Sequence, residues 1–514
     1  MKLLPKKTQL SSIIKTKSNL SPKNNKLFKN DELLKNMKLY KNSSGTRLLI
    51  MPNRKDTESA SLYFYFKVGS KNETPAVYGI SHFIEHMLFK GSPKYPNYLD
   101  ISKTFDSNGI IFNAYTSKDI TAYHYKFLST KENLDLICKI TSDMIFHSFM
   151  LQKDITPERN VIIQEYNDGL DDIDNIVNDK VEECIFEGHP LAHTIIGSLD
   201  TLKNINRKEI MNYYKKYYTS DNLLISFSGK YHSTYIDIIN KYFKTIIGKK
   251  NNNSNNLNSN SNSNSNSSSN SLISRKTSKL PKTKLTKTKL TKEFKSINIK
   301  LYKPKVLPLI PFIDKYQNYK INCFYKSLTQ DYINIVFKTQ GYYDPNTYYY
   351  KLLENILGGN MSSRLFVEII EKLGLAYTIK CDITNYEEVG YFNIYSQNET
   401  KDTIKCLEHI FKELVKFKKQ GTNKAELENN KKNYCDIYKT SFDDIEDENE
   451  YYSNQLLFNK PFESIDMRIK HIQSITEEQL KICANKLFNF NKVHIVTVGK
   501  IKKENIEKVV KQFI

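Results

Sequence analysis

The sequence is poor in several features that would assign it to familiar protein classes. Its 514 residues include no tryptophan, 17 glycines and 14 prolines, and it has no long apolar run. A membrane-spanning helix needs about 20 consecutive apolar residues, whereas the best run, 306–313, is short and contains two prolines. We therefore expect no integral membrane segment. The N-terminus also lacks the apolar core of a secretory signal, so export by a signal peptide is not expected.

Paired cysteines are missing as well. The seven cysteines show no CxxC spacing, and an odd number cannot all pair within one chain. This pattern favours free thiols in a reducing intracellular compartment over a disulfide framework. A mitochondrial leader usually carries Arg and an amphipathic stripe. Residues 1–30 contain Lys but no Arg, so a cytoplasmic location is favoured over a mitochondrial one.

Positive charge is distributed unevenly along the chain. Of the formal net charge of +21, residues 1–40 hold +8 and residues 246–305 hold +13, which leaves the rest neutral. Both segments are poor in apolar residues and cannot offset their ordering entropy by burial. Aromatic residues for stacking on bases are scarce among these lysines, so nucleic acid is not the expected partner. The alternative is an interaction protein that binds nucleic acid or acidic surfaces through this basic segment.

A low-complexity segment divides the chain into two halves. Residues 251–271 are Asn or Ser except Leu257, and a Lys/Thr tract follows. Such composition is typical of a disordered linker. The expected organisation is a disordered basic tail at 1–37, an N-terminal domain at 38–245, a low-complexity linker at 246–319 and a C-terminal domain at 320–514.

Both halves mix strand and helix patterns in a similar order. In the first, Ala60–Val68 is aromatic and β-branched like a strand, and a helical pattern follows around Ile84–Leu88. In the second, Tyr332–Phe337 alternates as a half-buried strand, and Thr347–Leu357 reads as a helix closed by two glycines. The predicted fold class is α+β, with two homologous domains that each contain a mainly antiparallel sheet packed with helices.

One short motif predicts a metal site: His82-Phe-Ile-Glu85-His86. On a helix the two histidines stand at i and i+4, so both imidazoles lie on one face and can reach one metal ion. Glu85 lies beside them, where a carboxylate base accepts the proton of a metal-activated water. The HxxEH order marks the inverzincins. The alternative is a helix with two incidental histidines.

A catalytic zinc site takes three protein ligands, so a further carboxylate should complete the set. The segment Glu158-Arg-Asn-Val-Ile-Ile-Gln-Glu165 offers two acids seven residues apart, hence on the same helical face. We expect Glu165 to bind the metal and Glu158 to support the site. An ordinary solvated helix face is the alternative interpretation.

Together these motifs resemble the pitrilysin/insulysin superfamily of zinc peptidases. The likeness is greatest to single-length members related to the β subunit of mitochondrial processing peptidase and to bacterial relatives. In that family the metal-binding Glu follows HxxEH at a spacing similar to the 79 residues between His86 and Glu165 here. The resemblance implies one Zn²⁺ per chain held by His82, His86 and Glu165, with Glu85 as general base in the hydrolysis of unfolded peptides or presequences. It makes 38–245 the catalytic domain and 320–514 a metal-free homologous domain.

A strand of the first half also resembles the family pattern. Phe112-Asn-Ala-Tyr-Thr-Ser117 is similar to the strand along which an extended substrate adds by main-chain hydrogen bonds. The resemblance therefore implies that Asn113, Ala114 and Tyr115 bind substrate. A plain core strand is the alternative.

The second half contains no HxxEH but resembles the family's C-terminal signature at 357–366 and 371–377. The resemblance implies a catalytic role for Tyr377, which steadies the oxyanion together with an Arg seven residues before it. That position is Ile370 here. Loss of one oxyanion donor typically costs about 10²- to 10³-fold in rate. We therefore expect slow turnover or help from a partner, as a homodimer or as a heterodimer with a related subunit. A catalytically weak or silent subunit of a heteromeric complex is the alternative.

Overall fold

The computed structural model describes residues 36–243, 295–297, 310–316 and 318–514. Nearly all of the expected basic tail lies outside these ranges. The Asn/Ser tract at 251–271 and most of the Lys/Thr tract also lie outside these ranges. The basic segment expected, in the alternative interpretation, to bind nucleic acid or an acidic surface therefore lies largely outside the described residues.

The N-terminal half is built on a seven-stranded sheet. Its strands are β1 Lys38–Lys41, β2 Arg47–Asn53, β3 Ser59–Phe66, β4 Ile111–Thr116, β5 Thr121–Leu128, β6 Leu223–Gly229 and β7 Lys295–Ile297. They lie in the order β4-β5-β3-β6-β2-β1-β7, and every pair is antiparallel except β2 with β6. The β7 strand comes from the range expected to be linker, so this part of that range is structured.

The C-terminal half repeats this arrangement with five strands. They are β8 Lys320–Tyr325, β9 Gln330–Thr339, β10 Thr378–Asn385, β11 Gly390–Glu399 and β12 His494–Gly499. Their order is β10-β11-β9-β12-β8, and again a single pair, β8 with β12, is parallel. These strands occupy the positions of β4, β5, β3, β6 and β2 in the first sheet, as the duplication inferred from the sequence requires.

Helices surround both sheets. In the first half they are α1 Ile80–Leu88, α2 Tyr98–Asp106, α3 Lys131–His147, α4 Gln152–Asp171, α5 Ile173–Ile185, α6 Leu199–Asn204, α7 Arg207–Tyr217 and α8 Tyr235–Phe243. In the second they are α9 Thr347–Gly358, a π-helix Phe366–Lys372, α10 Thr403–Gln420, α11 Lys424–Ser441, α12 Ile445–Leu457, α13 Ile465–Gln473, α14 Glu477–Leu487 and α15 Lys503–Val510. No helix within the described ranges is long and apolar enough to span a membrane. The mixed α+β class is thus confirmed.

Each sheet is buried on both faces. In β3 the side chains of Leu62, Phe64 and Phe66 join the core formed with the helices of the same half. The alternate residues Tyr63 and Tyr65 point to the other face and are also buried, because successive strand residues face opposite sides. Something other than the first half's own helices must therefore cover this second face.

A helix from each half packs on this second face of the other half's sheet. Helix α12 of the C-terminal half packs Tyr452 and Leu456 against Tyr63 and Tyr65. Helix α5 of the N-terminal half packs on the second sheet, where residues such as Val177 lie against strand side chains of β9, β11 and β12. Burial of one such apolar side chain stabilises the assembly by about 1.5–3 kcal/mol, so the two halves form one body.

Charged side chains also join the two halves. The turn 386–389 between β10 and β11 carries two glutamates toward the first half. Glu387 Oε1 lies 2.7 Å from Lys67 Nζ, and Glu388 Oε1 lies 2.8 Å from Lys71 Nζ. All four side chains are at most one-tenth exposed. Removing one partner of a buried pair leaves the other charge uncompensated, so an arrangement of the halves that separated these charges would be disfavoured.

Candidate functional site

Helix α1 carries the HxxEH motif and has a firmly fixed start. It begins after Gly79, whose φ of 96° suits glycine and where a Cβ atom would come within 2.3 Å of the Ile196 carbonyl oxygen. The carboxylate of Glu73 accepts hydrogen bonds from the backbone N–H groups of Gly79 at 2.7 Å and of Ser81 at 2.8 Å. These bonds satisfy N–H groups at the helix N-terminus that have no partner within the helix.

Three side chains place metal-binding atoms around one point beside this helix. The Nε2 atoms of His82 and His86 are 3.2 Å apart, and the two carboxylate oxygens of Glu165, on α4, lie 3.5 Å and 3.6 Å from them. Two ligands on a tetrahedral zinc ion, each about 2.0–2.1 Å from the metal, stand about 3.3–3.4 Å apart. The donor set therefore fits zinc. In the described part of the chain this is the one group of His, Cys, Asp and Glu side chains close enough to hold a metal ion.

The two histidines differ in protonation before a metal binds, because the pKa of His82 is lowered and that of His86 is raised. Burial, reinforced by the neighbouring His86, lowers the pKa of His82 to about 3, so its ring is neutral at physiological pH. His86 Nδ1 lies 2.8 Å from Glu158 Oε1, which holds a proton on Nδ1 and directs Nε2 toward the metal position. Burial lowers the pKa of His86, but the bond to Glu158 and the charges of Glu85 and Glu165 outweigh burial and raise it, so below that pKa a metal must displace a proton from Nε2. Glu158 also contacts Lys90 Nζ. Burial raises the pKa of Glu158, but the bonds from His86 and Lys90 outweigh this effect and hold it below its usual value.

Glu85 lies in the same pocket with an environment suited to proton exchange. Its side chain is buried, and Thr116 Oγ1 donates a hydrogen bond to its Oε2 at 2.5 Å. Burial raises the pKa of Glu85, while the Thr116 bond and His86 oppose this effect. A carboxylate with a raised pKa is a stronger base than a fully solvated one, which suits Glu85 to take a proton.

The pocket is a cavity of about 380 Å³ between α1, α4 and strand β4. Glu85, the three donor residues, Ala114, Tyr115, Thr116, Ile195 and Ile196 line it. Strand β4 is at the edge of the first sheet and pairs only with β5 among the described strands. Its outer edge can therefore accept an extended peptide by main-chain hydrogen bonds. Asn113 is on the same strand but does not line the cavity, and its side-chain oxygen accepts the backbone N–H of Ala114.

The structure does not bring Tyr377 to this pocket. Its side chain is 78% exposed, it precedes β10 of the second sheet, and it is not among the residues that line the cavity. Ile370, at the position of the family's Arg, packs against the core of the C-terminal half. The two positions expected to stabilise an oxyanion are thus separated from the metal-binding residues within one chain.

Sequence reasoning missed several residues of the pocket. Thr116 lies in the expected substrate strand, directly after the three residues expected to bind substrate, so only its position gave a signal. Ile195 and Ile196, which line the cavity, and Lys90, which contacts Glu158 beside it, gave none, because they reach the site through tertiary contacts.

Family comparisons agree with this geometry. Residues 48–199 match the model described as Insulinase (Peptidase family M16), and residues 204–434 match the Peptidase M16 inactive domain. The chain belongs to peptidase family M16. The first match contains the HxxEH motif and Glu165, which together with the names of relatives supports a metallopeptidase at the level of the M16 family.

Individual relatives match different shares of the chain. An uncharacterized zinc protease of Bacillus subtilis, YmxG, is 28% identical over 449 residues, or 87% of this chain and 94% of its own length. The β subunit of the mitochondrial-processing peptidase of Caenorhabditis elegans is 31% identical over 186 residues, 36% of this chain and 40% of that protein. A protease structure from Helicobacter pylori has the same fold, with a TM-score of 0.73 at 18% identity over 90% of this chain and 99% of that one.

Proposed function

We propose that this chain is a zinc-dependent endopeptidase that cleaves extended, unfolded peptides, with one zinc ion held by His82, His86 and Glu165. The observation that carries the proposal is the convergence of two imidazole nitrogens and a carboxylate beside Glu85. Two histidines and one carboxylate form a ligand set of catalytic zinc sites that keep a position open for water or substrate. Relatives that bear the name zinc protease support the same metal.

The residues at this site have different roles in the proposed reaction. Zinc in this site would supply Lewis acidity to the scissile carbonyl and lower the pKa of water to about 7. Glu85 takes the proton of the attacking water and delivers it to the leaving amine. Glu158, paired with Lys90, keeps the Nδ1 proton on His86 and so orients that ring.

The substrate class follows from the strand beside the pocket. We assign main-chain pairing with the peptide to Asn113, Ala114 and Tyr115 of the edge strand β4. Such pairing requires an extended peptide and reads little of its sequence, so unfolded peptides of varied sequence, presequences among them, suit the site. A relative named as a mitochondrial-processing peptidase subunit is in keeping with this class.

The active unit is proposed to be a pair of chains. Tyr377 is exposed and lies outside the cavity of its own chain, so it can act on a substrate only from a C-terminal half that faces the cavity of another chain. The partner is a second copy or a related subunit. Molar mass in solution, measured by light scattering with and without a non-cleavable peptide, tests this assignment, and a strictly monomeric active enzyme would contradict it.

The test of the proposed function compares wild type with Glu85→Gln. Elemental analysis should find about one zinc per chain in both proteins, and only wild type should cleave an unstructured basic peptide. Glu478→Gln, at an exposed position on α14, is the matched control and should cleave like wild type. If a folded wild-type chain supplied with zinc binds none, or if Glu85→Gln cleaves at the wild-type rate, the proposal fails.

A further inference from the structure

Thr116 connects strand β4, to which peptide binding is assigned, with the proposed general base Glu85. It is the last residue of β4, directly after the residues assigned to the peptide main chain. Its hydroxyl donates to Glu85 Oε2 at 2.5 Å, and both residues line the cavity. In the part of the chain that the structure describes, this is the one side-chain hydrogen bond that the Glu85 carboxylate receives.

The orientation of the Glu85 carboxylate depends on such a bond. The last torsion of a glutamate side chain is broad, so its carboxylate rotates freely unless a partner holds it. A general base must bring one oxygen within about 2.6–3.2 Å of the proton that it takes. Because Thr116 holds Oε2, the direction of the other oxygen, Oε1, is fixed as well. Oε1 receives no hydrogen bond from the described residues.

The position of Thr116 is itself fixed by the turn that follows β4. The backbone N–H groups of Ser70 and Lys71 donate to the carbonyl oxygens of Ser117 and Lys118 at 3.1 Å and 3.0 Å. The two segments approach so closely that a Cβ atom at Gly69 would stand 2.2 Å from the Ser117 oxygen. The strand end therefore has little freedom to move away from α1.

Buried ion pairs reinforce the same turn. Asp119 pairs with Lys71, and Lys118 Nζ lies 3.1 Å from Glu182 on α5. Lys71 also contacts Glu388 of the C-terminal half at 2.8 Å. Because buried charges keep their partners, the turn is tied to both halves, and the Thr116 hydroxyl is presented from a rigid support.

We propose that Thr116 is a positioning residue that holds the general base Glu85 in its reactive orientation. Its hydroxyl pins one carboxylate oxygen, so that the strand that aligns the peptide also aligns the base. This inference rests on the proposed function and deepens it. It assigns to Thr116 an effect on turnover and none on peptide affinity, because the side chain acts through Glu85.

The kinetic test uses three substitutions on the zinc-loaded protein. Thr116→Val keeps the β-branched shape and removes the hydroxyl; kcat should fall roughly 10- to 100-fold, the cost of a misplaced catalytic group, while KM stays within twofold. Thr116→Ser should restore most of the rate. Thr121→Val is the matched control, because Thr121 stands opposite Thr116 on β5 and donates to the Val68 carbonyl instead; it should leave kcat unchanged.

A second readout needs no activity. The loss of Tm caused by Thr116→Val should shrink by roughly half or more in a Glu85→Ala background, because two groups joined by a hydrogen bond do not contribute additively. The loss caused by Thr121→Val should be the same in both backgrounds. Equal Tm losses from Thr116→Val in both backgrounds, a Thr116→Ser as slow as Thr116→Val, or a raised KM at unchanged kcat each overturn the inference. Failure of the proposed function shows separately, in the zinc content and in the activity of Glu85→Gln.

Discussion

Removal of the Glu158 charge should weaken zinc binding by an amount that the structure lets us estimate. Glu158 Oε1 is 2.8 Å from His86 Nδ1, and the side chain is 6% exposed. A hydrogen bond to a charged group is worth about 1.5–3 kcal/mol, and a neutral one about 0.5–1.5 kcal/mol. Glu158→Gln keeps an acceptor and should cost about tenfold in zinc affinity, whereas Glu158→Ala removes it and should cost about 100-fold, in line with other residues that orient metal ligands.

The assay is competition for zinc against a chromogenic chelator, on folded protein at fixed pH. Glu448→Gln is the matched control, since Glu448 is equally buried, on α12, and bonds to Ser228 away from the pocket. That variant should lose stability but keep its zinc affinity. The reasoning is refuted if Glu158→Ala binds zinc as tightly as wild type, or if Glu448→Gln loses as much affinity as Glu158→Gln.

Three further predictions concern stability. Chelation of zinc should abolish cleavage and lower Tm. Addition of free zinc to 100 times its dissociation constant should restore about 2.7 kcal/mol of stability. A Tm independent of zinc would contradict the proposed zinc site. Leu456→Ala, in the contact between halves, should cost about 2–5 kcal/mol by thermal denaturation, whereas Leu170→Ala, at a half-exposed position, should change stability by less than about 0.5 kcal/mol. Burial lowers the pKa of His494 to about 4, below its unfolded value of about 6.5. Between these values the unfolded chain binds a proton that the folded chain does not, so acidification from pH 6.5 to 4 should lower the free energy of unfolding by up to about 3 kcal/mol. His494→Gln should flatten the slope of Tm against pH between pH 4 and 6.5. An unchanged slope would refute the assignment.

The local features of the site could be predicted from the sequence because they depend on spacing along one element. The i, i+4 histidines and the pair Glu158 and Glu165 need only a helix to share a face, and α1 and α4 supply it. The alternation of Tyr332–Phe337 likewise predicts a strand within β9. These patterns follow the period of a single helix or strand, so they can be recognised without knowledge of the tertiary contacts.

Contacts between elements could not be predicted in this way. The bond from Thr116 to Glu85 depends on how closely the end of β4 approaches α1, which no single-element pattern encodes. The strand β7 arises within a range whose composition favours a linker, because main-chain hydrogen bonds to β1 require no particular side chains. The apolar stripe of α12 would look the same whether it covered its own sheet or the sheet of the other half.

The reciprocal placement of α5 and α12 makes each half an incomplete fragment. A polypeptide ending near Phe243 would leave the face of β3 that carries Tyr63 and Tyr65 without its cover, and one starting near Lys320 would lack the helix over β9, β11 and β12. The two fragments should nevertheless reassemble when mixed, because the surfaces that join them do not require the peptide connection. The chain between Phe243 and Lys295 could therefore lengthen, change in composition or be cut during evolution without separating the halves.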